Sequence, residues 1–127
     1  MHKFIKSPDD VLAVTYTGQI TGKDLDAALD RLDAMLAKPG KINFFIEMKK
    51  LEGIELSAMP HHMSRSFPLF GKLDRFGRVA VVADQAWMRV LTRLESAMVP
   101  HVHYRVYEPS EREEALGWAF GKELVTA

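Results

Sequence analysis

Ser57, the paired His61 and His62, and the later His101 and His103 are the residues of this 127-residue chain whose types could do chemistry. Each falls short of a complete device. A serine nucleophile needs a neighbouring base and an oxyanion hole. Ser57 sits in Glu55-Leu56-Ser57-Ala58, with no Gly-x-Ser-x-Gly elbow around it. Its place ahead of an apolar run makes it an expected helix N-cap instead. A zinc site needs three or four ligands closing on one point. Adjacent histidines diverge by about 100° on a helix, and no His-Glu-x-x-His pattern is present. No catalytic residue, metal ligand set or cofactor is assigned, and the chain reads as non-enzymatic.

Binding is the remaining class. Met59, Met63, Phe67 and Phe70 recur along one expected helix, residues 57–70. Trp87, Leu91, Leu94 and Met98 recur along the next. Facing each other, the two sets would line an apolar pocket, and methionine suits surfaces that repack around different ligands. The bland reading of such a stripe is core. Lys49, Lys50, Arg65, Lys72, Arg75, Arg78, Arg89 and Arg93 lie nearby in sequence. Basic side chains beside an apolar helix are a membrane-surface arrangement, although more often they form a solvated face.

The whole chain bounds these readings. Its length is that of one domain, spanning residues 1–127, with 47% hydrophobic and 27% charged residues. Seventeen basic residues balance seventeen acidic ones, so there is no electrostatic footprint for nucleic acid. Cysteine is absent, which excludes disulfides and thiol chemistry and fits a cytoplasmic protein. No apolar run is long enough to cross a bilayer, which leaves peripheral attachment as the membrane option.

Hydrophobic periodicity places the elements. Residues 3–6 and 11–17 read as an antiparallel hairpin, with Gly18 ending the second strand. Thr21 caps a helix with the stripe Leu25, Ala28, Leu29, Leu32, Leu36, stopped by Pro39-Gly40. A strand over 42–48 is followed by a charged loop over 49–56 and the helix opened by Ser57. Pro60 falls in its first turn, and Pro68 must kink or end it. A strand over 78–83, a helix capped by Asp84, a strand over 102–107 and a helix opened by a Ser110–Glu113 capping box complete the chain.

Strands alternating with helices imply an α/β domain with a mainly parallel sheet. The two strand faces differ. Leu12, Val14, Tyr16, Ile42, Phe44, Ile46, Val79 and Val81 share one. Thr15, Asn43, Glu47, His103 and Arg105 share the other, with Val11, Phe45 and Val82 as apolar islands. The expectation is a five-stranded sheet in order 1-2-3-4-5, its first strand antiparallel, with helices mostly on the first face and the second largely open. Phe45 and Val82 would then be natural contacts for a homodimer.

This pattern, with "DDVLAVTYTGQITGKDLDAAL", "GKINFFIEMKKLEGIEL", "FGRVAVVADQAWMRVL" and "RVYEPSEREEALGWAF", resembles the SpoIIAA-like family, relatives of STAS and CRAL-TRIO domains. The resemblance implies a βα superhelix without catalysis. The CRAL-TRIO side of it implies an apolar small molecule, a lipid or a membrane surface as partner, held by mobile second and third helices. The STAS side implies a protein–protein regulatory module. In that module Leu56 stands where the phosphoacceptor serine would be, so a phospho-switch is not expected.

Overall fold

The computed structural model describes residues 1–84, 86, 87, 89 and 102–121. Five strands form one sheet in the order β1 (His2–Phe4), β2 (Val11–Ile20), β3 (Ile42–Ile54), β4 (Phe76–Val82) and β5 (His103–Tyr107). β1 runs antiparallel to β2, and every later pairing is parallel. Three helices are described, α1 (Gly22–Leu36), α2 (Met59–Ser66) and α3 (Arg112–Ala119). This is the expected strand order and fold class.

β2 lies inside the sheet with apolar residues on both sides: Val11, Leu12, Ala13 and Val14 are all buried. Gly18 does not end it. Gly18 adopts φ 61°, and the register with β3 shifts there, so the residue forms a bulge through which β2 continues to Ile20. β3 is correspondingly longer than expected. The stretch 49–54, expected as loop, pairs with that extension, and Leu51 and Ile54 pack beside Val14, Tyr16 and Ile20.

α1 begins as its sequence predicts. Thr21 and Asp24 form a reciprocal capping box, and Leu29 and Leu32 are buried against Leu12, Ile42 and Phe44. Asp84 Oδ1 accepts from Trp87 N–H at 3.2 Å, the expected cap of the helix beginning there. α3 departs from its expected start. Glu108, not Ser110, forms the capping box, with Glu111, around a 3-10 turn over Pro109–Glu111.

α1 and the segment containing α2 occupy the first face, so most of the described helical residues lie there. The second face, however, is not open. α3 covers it, burying Ala115 and Ala119 against Val11, Ala13, Phe45, Ala80 and Val82. Phe45 and Val82 are therefore core and not a subunit contact. Glu47 is buried rather than solvated, and Asn43 is buried with it. His103 and Arg105 remain exposed. The small residues Ala13, Ala80, Ala115 and Ala119 let the helix sit close, which a count of polar residues on the strands does not show.

Candidate functional site

The segment from Leu56 to Arg75 is the part of the first face that is least absorbed into the core. It is three pieces, not one helix: a 3-10 turn over Leu56–Ala58, α2, and a 3-10 stretch over Phe67–Arg75. Pro60 lies in the first turn of α2, where its missing N–H costs little. Pro68 opens the second 3-10 stretch, ending the α-helix as expected. Ser57 caps neither piece; the residues at both cap positions make no side-chain cap hydrogen bond.

Sequence spacing placed Met59, Met63, Phe67 and Phe70 on the inner side. The structure turns part of that set outward. Met59 is half-buried, but Met63 is 56% exposed and Phe67 72% exposed, with Leu56 at 79%. Steps of four residues advance about 40° per step around a helix, so Phe67 lies about 80° from Met59. The inward line is Met59, His62, Ser66, Leu69 and Leu73, all half-buried at spacings of three and four. Leu69 and Leu73 pack on the cluster of Phe44 and Phe76. That line was legible in the spacing but was masked by its two polar members. Burial lowers the pKa of His62, and neighbouring Arg65 and His61 act in the same direction, against Asp26.

Trp87 is half-buried beside Val81 and Ala83. The side chain of Phe70, and Leu91, Leu94 and Met98, lie outside the described residues.

Two arginines fasten the segment to α1. Arg65 reaches Asp26 at 3.1 Å, Asp33 at 3.2 Å and also Asp30. Hydrogen bonds led by that to Asp30 raise its pKa further above the ordinary arginine range. Arg75 donates to the carbonyls of Gly40 at 2.8 Å and Lys38 at 2.6 Å, just past the end of α1. At the other end, Gly22 N–H donates to Glu55 Oε1 at 3.1 Å. A Cβ on Gly22 would come within 3.0 Å of Ala58 Cβ, so glycine permits this close approach.

The second face holds a polar group that sequence reasoning had placed in solvent. Glu47 accepts from Thr15 Oγ1 at 2.9 Å and pairs with Arg112 Nε at 2.8 Å. The pair joins β3 to the first residue of α3. Among the described residues no cluster of three or more His, Cys, Asp or Glu is arranged to hold a metal ion. No described helix is long and apolar enough to cross a membrane.

A mixed five-stranded sheet with described helices on both faces defines an α/β domain. The SpoIIAA-like family model matches residues 11–119, and the chain belongs to that family. Among solved structures it is similar to an uncharacterised protein of the DUF3478 family with a SpoIIAA-like fold from Shewanella loihica PV-4. The two share 24% identity and a TM-score of 0.64 over 94% of this chain and 92% of that one, a likeness of fold. No curated protein matches the chain.

Proposed function

We propose that this chain is a non-enzymatic docking domain that presents Leu56, Met63 and Phe67 to the apolar surface of a partner protein. The exposure of three large apolar side chains on one short segment carries this reading. Exposed apolar groups that adjoin one another are usually interaction surfaces. Met63 and Phe67, four residues apart, share one helix side. No opening step is required, because both already face solvent.

The surrounding charge favours a protein over an anionic bilayer. Of the three basic side chains in the segment, Arg65 is engaged by three aspartates and Arg75 by two carbonyls, which leaves Lys72 as its one exposed cation. Asp30 and Asp33 remain mostly exposed beside Arg65, giving the ridge an acidic margin. A partner with apolar anchors and a basic rim complements it.

The second reading is an apolar small molecule or lipid held by Met59, Met63, Phe67, Phe70, Trp87, Leu91, Leu94 and Met98. Half-buried Met59 and Trp87 favour it, since both lie on the first face. One experiment separates the two. A photo-crosslinking phenylalanine at position 67 is expected to trap one defined protein in cells. The purified partner is then expected to bind the wild type and not Met63→Asp. Binding to vesicles or retention of long-chain lipid, with no protein adduct, would establish the second reading. Neither response would reject both.

A further inference from the structure

Arg78, His103 and Arg105 gather on the second face at the β5 end of the sheet. Arg78 and His103 are register partners, and Arg105 pairs with Ala80 two residues further along β4. Residues two apart on a strand share a face, so all three project to the same side. With Val102, Tyr104 and Trp118 they line a cleft of about 440 Å³. No carboxylate lines it among the described residues. None of the three has an ion-pair partner among the described residues.

Cations placed on neighbouring strands without an acid repel one another. Arg78 adds a second departure, since its Nε is buried without a hydrogen-bond partner among the described residues. Gly121 contributes space. It adopts φ 75°, and a Cβ there would come within 2.9 Å of Arg78 Nη2. The Arg105 guanidinium lies 4.7 Å from the centre of the Trp118 ring, which fixes one wall.

We infer that this cleft binds a small molecule through a phosphoryl group held by Arg78, Arg105 and His103. The guanidinium fork matches phosphate oxygens two at a time, and three donors suit three peripheral oxygens better than the two of a carboxylate. The site lies across the sheet from the α2 ridge and stands independently of the docking reading.

Trp118 reports on it. In a Trp87→Phe protein it is the only tryptophan. Titrating inorganic phosphate at constant ionic strength is expected to give a saturable change in its emission. Broadening of the phosphate signal in phosphorus NMR is expected to follow the same curve. Chloride and acetate at matched ionic strength are expected to do neither. Arg78→Gln and Arg105→Gln should each weaken phosphate binding at least tenfold, with unchanged circular dichroism showing the fold intact. The NMR measurement is unaffected by loss of the Arg105–Trp118 contact. Equal responses to acetate and phosphate, no saturation, or full binding by both glutamine variants would overturn the inference.

Discussion

At the scale of single residues, buried polar groups explain more of this molecule than its surface charges do. Asp24 is buried at the start of α1. Burial alone would raise its pKa. The Thr21 N–H, His2, the Met1 amino group and the Thr21 hydroxyl together hold it well below the usual carboxylate range. Tyr16 lies close by, and burial, with the Asp24 charge second, pushes its pKa up to about 12. The sign of the linkage follows. The folded state keeps the phenol protonated where the unfolded chain has lost that proton, so stability is full below about pH 10 and falls between about pH 10 and 12. Tyr16→Phe is expected to flatten that fall, read as urea midpoints across the alkaline range. An unchanged slope would show that Tyr16 ionises freely in the folded protein. Glu47 gives a second test. Arg112→Met leaves its carboxylate with one neutral hydrogen bond. The expected cost is about 2–3 kcal/mol, below the roughly 3–5 kcal/mol of a fully buried pair because Arg112 is partly exposed. Adding Glu47→Leu to that variant should recover much of the loss. A double variant worse than either single one would mean that the pair positions α3 beyond neutralising charge.

At the scale of elements, the strands and α1 were legible because each carries one dominant signal. Leu29 and Leu32 sit in a clean stripe behind a Thr-Asp box, and β2 opens with the apolar run Val11–Val14. The second face was misread because its cover comes from α3, where alanines do the packing. Glu47 and Asn43 looked solvated although each is buried with partners in place. Asn43 donates weakly to Asp10 Oδ2 at 3.4 Å and accepts from Arg78 N–H at 2.8 Å. The segment 49–54 looked like loop because lysines and Glu52 interrupt the alternation, yet Leu51 and Ile54 keep it in the sheet. α2 misled most: an apolar count selected Met63 and Phe67, whereas geometry buries the line through His62 and Ser66. Ser57 follows the same lesson. With no side-chain cap at α2, Ser57→Ala is expected to change stability by less than about 0.5 kcal/mol, against roughly 1 kcal/mol for a true cap. A loss near the larger value in chemical denaturation would restore the cap. Met63→Asp is expected to leave stability nearly unchanged, since the side chain already faces solvent, while removing partner binding.

For the whole molecule, the sheet separates a tightly packed half from a more loosely attached segment. No residue of α2 is fully buried. Its eight residues are too few for a helix to persist without tertiary support. That support is Leu69 and Leu73 beyond it, and the Arg65 and Arg75 attachments to α1. Exposed ion pairs weaken as salt shortens the range of charge, from about 10 Å at 0.1 M to about 3 Å at 1 M. The amides of residues 59–75 are therefore expected to exchange faster than those of β2 and β3. High salt or Arg65→Met should accelerate them further without changing the central strands. The ridge needs this attachment to present Met63 and Phe67 in one geometry, so Arg65→Met should also weaken partner binding while leaving the surface itself intact. If α2 exchanges as slowly as β3 and ignores both salt and Arg65→Met, then apolar packing alone holds the segment. The aspartates of α1 would then act in partner recognition and not in holding α2.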